Sequence, residues 1–340
     1  MNQSAKACSA SSPYIAGFDY LRIAAAFAVV WIHGSDTNRF AMRLQDYCSF
    51  AVPSFILMSV FLSTQSFARK KGLGLRTFLV LRAKRLIPAY VGWSLVYLFF
   101  RYLKHRFITG IPLELDWISV IFFGGASYQL WFVPMLLMWS LVFGVLMCYI
   151  ARAGHKRALG GLLILAGVLL YGTGPEMARH LSLPPGYEML KYGITDTGFV
   201  LLGMGLWALL KGAEGIRLPS ANPGYVVMGV AGIGLSLAGM RTGFNRALFM
   251  PLFTLSTFWL SLRPGGTRGS AFVRYLSPVA FGIYLCHAIF VEGLQVAMGL
   301  AGINIGSFEK TAGLIISAFV MSSILCIVLR RWRFTEWLVV

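Results

Sequence analysis

Polar residues interrupt this chain so rarely that the apolar runs between them set the expected elements. A helix crossing a hydrocarbon layer of ~30 Å needs about 20 largely apolar residues. Ten segments approach that length, at approximately 15 to 34, 47 to 67, 85 to 103, 128 to 150, 158 to 173, 192 to 210, 224 to 240, 247 to 262, 275 to 297 and 311 to 329. The run 117 to 123 is apolar but too short to span, and reads as a re-entrant or interfacial piece. The expected fold is therefore an all-α, polytopic integral membrane protein with about ten transmembrane helices. It forms a single domain over 1–340, with a polar tail at 1–14 and no appended soluble domain. The first apolar run carries acid and base near its start and no small-residue cleavage pattern after it, so it reads as a retained helix rather than a signal peptide.

Composition agrees with that pattern. The chain is 340 residues, 57% hydrophobic and 12% charged, whereas a soluble domain carries about a quarter charged residues. Its net charge of +18 would suggest nucleic acid in a soluble protein. Here the basic residues lie in short runs between apolar segments, as expected for cytoplasmic loops facing anionic lipid headgroups, so nucleic acid is excluded and membrane lipids are the expected partner.

With ten spans and both termini in the cytoplasm, 20 of the 30 lysines and arginines fall inside and nine of the 12 acids outside. That asymmetry is the expected one. The inner set includes Arg22, the run Arg69, Lys70, Lys71, Arg76, Arg82, Lys84 and Arg85, and the tail Arg330, Arg331 and Arg333. Five cysteines, Cys8, Cys48, Cys148, Cys286 and Cys326, show no CxxC pair and read as small buried apolar residues; no metal site is expected. No internal repeat is found, and Gly203, Gly205, Gly229, Gly232 and Gly234 are expected to let helices approach closely.

The candidate chemistry lies in the few ionisable residues inside helices. In FDYLRIAAAFAVVWIH, from Phe18 to His33, Arg22 and His33 are 11 residues apart. On a helix they share a face and are separated by a rise of about 16.5 Å, half of the hydrocarbon layer. Taken singly, Arg22 is a snorkelling residue paired with Asp19, and His33 a polar helix end. Together they suggest a polar path running inward from the cytoplasm.

In RAKRLIPAY, Arg82 and Arg85 stand at i and i+3, neighbours at the cytoplasmic boundary. They serve either as positive-inside anchors or as two guanidinium forks for phosphate. Pro88 is expected in the first turn of that span or at a kink. In SPVAFGIYLCHAIF, His287 is either a hydrogen-bonded core residue or a catalyst. Tyr284 precedes it by three residues, and Glu292 follows by five, too far for a direct helical neighbour. Asp196 either lines a cavity or caps its helix. Tyr284, Asp196 and Glu292 are the candidate acceptor-binding residues. His105, His155 and His180 are expected in solvated loops, and YQLWFVPMLL reads as an interfacial aromatic belt.

These motifs, in this order, resemble the bacterial acyltransferase family 3, membrane enzymes that modify surface and exported glycans. The resemblance rests on Arg22 and His33 with ten residues between them, on Arg82-x-x-Arg85, on the LWF of residues 130–132, and on the GIYLxH ending at His287, and it runs along essentially the whole chain. It implies a ten-helix protein of the bacterial inner membrane that takes an acyl group, usually acetyl, from cytoplasmic acyl-CoA. The group goes to a hydroxyl of a cell-surface glycan or lipid-linked saccharide, with no metal. Many relatives carry a fused hydrolase-like domain for delivery, and this chain is expected to finish transfer within the membrane domain or with a separate partner.

On that reading Arg22, Arg82 and Arg85 bind the CoA phosphates. His33 is the general base, and His287 orients it or stands among the oxyanion donors. The other class that suits ten apolar spans with intramembrane charge is a secondary transporter or flippase of a glycan intermediate. Its members often show internal repeats.

Overall fold

The computed structural model describes residues 14–35, 38–70, 72–110, 113–152, 157–183, 187, 189–212, 215–216, 223–241, 246–262 and 271–339. Lys6, Lys71, Lys156, Arg217, Arg263 and Arg268, with Glu214, Cys8 and His155, lie outside the described residues.

Among the described residues thirteen α-helices follow in chain order. The first seven are α1 (Ala16–Gly34), α2 (Arg39–Cys48), α3 (Ala51–Arg69), α4 (Leu75–Lys104), α5 (Trp117–Phe122), α6 (Phe132–Arg152) and α7 (Arg157–Arg179). After them come α8 (Met189–Leu210), α9 (Pro223–Arg241), α10 (Arg246–Ser261), α11 (Ala271–Leu276), α12 (Ala280–Leu300) and α13 (Phe308–Arg331). Two two-residue strands, Lys211–Gly212 and Gly215–Ile216, pair antiparallel between α8 and α9. Nine of the described helical stretches are long and apolar enough to cross a membrane, against the ten expected, and Phe249–Ser261 within α10 is apolar but shorter. The chain is an all-α, multi-pass membrane protein.

Three expectations about α4 and the turn after it need correction. The third span begins at Leu75, ten residues earlier than expected, because the stretch from Leu75 to Lys84 is itself largely apolar, broken only by Thr77 and the basic Arg76, Arg82 and Lys84, all of which a helix accommodates. Pro88 therefore sits in the interior of α4 and not in its first turn. The 30-residue α4 is about 45 Å long at 1.5 Å per residue, longer than the hydrocarbon layer, so its basic first half lies at the membrane boundary. His105 is likewise not in a loop but continues α4 as one π-helical turn.

The 117–123 run forms the six-residue α5. Its N-terminus is capped by the Asp116 side chain, which accepts hydrogen bonds from the backbone N–H groups of Ile118 and Ser119. The loop after it turns inward at Gly124, which adopts a positive φ of 80°. The Tyr90 hydroxyl fixes that turn, donating to the Val120 carbonyl at 2.5 Å and accepting from the Gly124 N–H at 3.0 Å.

α1 is the hub, packed against α3, α10, α12 and α13. The alanines that make its sequence look featureless are functional in packing. Ala25, Ala26 and Ala28 are buried, and Phe18 interlocks with Phe61 and Phe258 at ring-centroid distances of 5.9 and 5.2 Å.

The α7–α8 pair is closer still. A Cβ at Gly167 would lie 2.7 Å from the Gly198 carbonyl oxygen, and one at Gly205 2.8 Å from that of Gly160. Gly203, Gly229 and Gly232 also face close neighbours, whereas Gly234 faces open space and is no contact glycine. After α13 the chain folds back under the bundle, where Trp93 Nε1 donates to the Leu338 carbonyl at 2.9 Å and Val339 is buried against Gly282.

Candidate active site

A cavity of about 510 Å³ opens between α1, α3, α4, α6 and the start of α12. Arg22, Arg82, Arg85 and Lys70 all line it, with the hydroxyls of Ser59, Ser63, Ser66 and Ser277 between them. No acidic side chain is among its described lining residues. The sequence spacing thus does bring the three arginines to one space.

Each arginine is held differently. Asp19, 8% exposed, accepts from Arg22 Nη1 at 3.0 Å, from Ser277 Oγ at 2.6 Å, and from the Tyr14 hydroxyl. Snorkelling pair and cavity wall are therefore one and the same arrangement, and Ser277 ties it to the entrance of α12. Among the described residues Arg82 has no acid partner. Its Nη1 and Nη2 donate to Ser63 and Ser59 at 3.1 and 2.5 Å, and its Nε is buried without a partner among the described residues. Arg85, one turn on, is exposed at the cavity.

At one side the cavity ends in rings. Phe55, Phe132 and Phe281 line it and surround Tyr284 at 6.1, 5.2 and 6.4 Å between ring centroids. Tyr284 is 2% exposed, and its hydroxyl donates to the Gln129 carbonyl at 2.6 Å. Behind it stands His287, 6.1 Å away between ring centroids and completely buried. The His33 ring lies 5.3 Å from that of His287 and 4.5 Å from that of Tyr128. His33 itself is half-buried.

The two histidines, distant in sequence, form one pair because α1 packs along α12. The His287 Nδ1 lies 2.7 Å from the Tyr284 carbonyl oxygen. Its Nε2 is buried and makes no hydrogen bond among the described residues.

Of the remaining candidates, Asp196 lies within electrostatic reach of Tyr284, and Glu292 and His180 sit apart. Asp196 is half-buried on α8 and makes no hydrogen bond or ion pair among the described residues, while its neighbour Thr197 accepts from Trp139 Nε1 at 3.0 Å. Glu292 is exposed on α12 and is not brought to the histidine pair. His180 is exposed and pairs with Glu176 at 3.4 Å at the end of α7.

The sequence reading missed the loop before α6. Gln129 and Leu130 are 1% and 0% exposed, so YQLWF is an inserted wall of the site and not a lipid-facing belt. Gln129 Nε2 and the Tyr97 hydroxyl both donate to the Leu285 carbonyl, at 3.2 and 2.7 Å. The available signal was a glutamine inside an aromatic cluster, a residue that a lipid-facing position would not favour. Cys286 and Cys326, 40 residues apart, also meet with sulfurs 3.6 Å apart, buried as free thiols.

A family model described as an acyltransferase domain matches residues 15–331. The chain is also 37% identical over 123 residues to the putative multidrug resistance protein MdtD of Shigella boydii serotype 4 (strain Sb227) and of Escherichia coli (strain SMS-3-5 / SECEC). Those stretches cover 34% of this chain and 26% of each relative, so the chain aligns with about a quarter of the length of these curated relatives. No solved structure matches.

Proposed function

This chain belongs to the acyltransferase family 3, and from that premise we propose that it transfers an acyl group, acetyl foremost, from cytoplasmic acyl-CoA to a hydroxyl of a cell-surface or exported glycan. The enzyme sits in the bacterial inner membrane with both termini in the cytoplasm, and the acceptor is an exopolysaccharide, an O-antigen or a lipid-linked saccharide.

The observation that carries the reading is the cavity with four cations and no acid in its described lining, ending at the rings that back onto the histidine pair. CoA carries a pyrophosphate and a 3′-phosphate on a long, flexible thiol arm. Arg22, Arg82 and Arg85 suit those phosphates as charge-assisted, forked donors, and the arm follows the Phe55 and Phe132 side of the cavity towards Tyr284. The acceptor reaches the half-buried His33, with Tyr284 and Asp196 on its route.

Attack of the hydroxyl on the thioester carbon needs a group to take the hydroxyl proton and a donor for the oxyanion. The His33 and His287 imidazoles supply both, and the proton is returned to the departing CoA thiolate.

A transporter of a glycan intermediate remains the second reading. The family match spans nearly the whole chain, whereas the likeness to the multidrug resistance protein covers about a third of it, so the acyltransferase reading is the stronger. The test is deletion of the gene followed by mass spectrometry of base-labile acyl groups on each surface glycan. Loss of one ester, restored by complementation, is the expected result. No change in any glycan would favour transport or a small-molecule acceptor.

A further inference from the structure

Within that acyltransferase reading, we propose that His287, not His33, takes the acceptor proton, and that His33 serves the same step as a hydrogen-bond donor. The assignment comes from which nitrogen carries the hydrogen. A backbone carbonyl can only accept, so the Nδ1 of His287, 2.7 Å from the Tyr284 oxygen, is the N–H nitrogen of the neutral ring. Nε2 then bears the lone pair.

That lone pair is buried, and no described residue donates to it. A buried acceptor without a donor costs about 1–3 kcal/mol, and such an atom beside a proposed reaction path calls for a partner from outside the chain. The acceptor hydroxyl is that partner.

His33 differs on each point. It is half-buried rather than fully enclosed, its ring packs against those of Tyr128 and His287, and among the described residues no carbonyl fixes its tautomer. No hydrogen bond joins the two imidazoles, so His287 is not built to orient His33 or to relay a proton through it. Each ring addresses a third group.

In the step, the acceptor oxygen forms its bond to the thioester carbon as its proton passes to His287 Nε2, and an N–H of His33 donates to the developing oxyanion. Collapse breaks the carbon–sulfur bond, and the His287 imidazolium returns its proton to the CoA sulfur. Glycan ester and free CoA thiol are the products, and the imidazole ends neutral.

The test exploits an isostere. His287→Asn keeps an N–H near the Nδ1 position for the Tyr284 carbonyl but removes Nε2, while His33→Asn keeps a donor. Each variant is expressed in the strain lacking the gene, and ester-linked acetyl on total surface glycan is measured. Purified protein is assayed in parallel for thermal stabilisation by acetyl-CoA.

Loss of a general base typically costs 10²–10⁴-fold. His287→Asn is therefore expected to lower ester formation at least about 100-fold with stabilisation by acetyl-CoA unchanged, and His33→Asn to lower it roughly tenfold, the smaller effect. The reverse ranking overturns the proposal, as does a His287→Asn protein that no longer responds to acetyl-CoA, which would make the residue structural. Failure of the wild-type gene to restore any glycan ester would instead defeat the acyltransferase reading itself.

Discussion

Asp19 and Arg22, one turn apart on α1, are joined by a 3.0 Å ion pair that holds the guanidinium at the wall of the cationic cavity. The carboxylate also receives the Ser277 hydroxyl, so the start of α12 is fastened to the same point. An acid this close to a proposed phosphate site lowers the attraction for an anion, and its use must therefore be to aim the arginine. Asp19→Asn is expected to raise the KM for acetyl-CoA about tenfold, equivalent to ~1.4 kcal/mol, with kcat changed much less. Steady-state kinetics in proteoliposomes decide it; an unchanged KM would show that Arg22 needs no such aim.

Lysine in place of arginine keeps the charge and loses the planar fork. Arg82→Lys removes the paired donation to Ser59 and Ser63, and Arg22→Lys the geometry set by Asp19. Both should weaken acetyl-CoA binding by about tenfold, as measured by calorimetry, on the scale of a charged hydrogen bond at 1.5–3 kcal/mol. Wild-type affinity in Arg22→Lys would rule out forked phosphate recognition there.

Four cations around one cavity without an acid among the described lining residues repel one another, and an anion relieves that repulsion. Acetyl-CoA should therefore raise the melting temperature of the purified protein, with about 2.7 kcal/mol of added stability at 100 times Kd. Dephospho-CoA should give less, and added salt should shrink the shift. Scanning fluorimetry across the three conditions is the measurement, and equal shifts with acetyl-CoA and dephospho-CoA would remove the 3′-phosphate from the site.

The glycine seam between α7 and α8 predicts a purely structural phenotype. Gly167→Leu drives a side chain into the Gly198 backbone and should cost about 1–3 kcal/mol, as overpacking does. Neither helix contributes to the described cavity lining. Folded yield, scored by size exclusion in detergent, should fall, while the surviving protein keeps its affinity for acetyl-CoA.

The spans and the arginine cluster were legible because both are local signals. Apolar length fixes a membrane helix, and helical spacing fixes which residues share a face, as with Arg22 and His33 on α1. The start of α4 was missed because Arg76, Arg82 and Lys84 interrupt its first ten residues, so that stretch reads as a basic loop rather than as helix. The loop bearing Tyr128 and Gln129 was missed for another reason. Its burial depends on Tyr284, Leu285 and Tyr97 from two distant helices, and an aromatic-rich stretch with no helical period reads equally as a lipid-facing belt. His287 could be found by position, but its role depends on a carbonyl 2.7 Å away, which no spacing rule supplies.

Tyr284 and the three phenylalanines around it place ring faces between the cationic cavity and the histidines. A hydrated passage joining the two sides would also conduct protons and discharge the gradient on which a bacterial membrane depends. On the proposed route, an acyl thioester pushing past these rings brings its own plug. Acyl transfer by that proposed route would move acyl groups across in chemical form while the membrane voltage stays where it was.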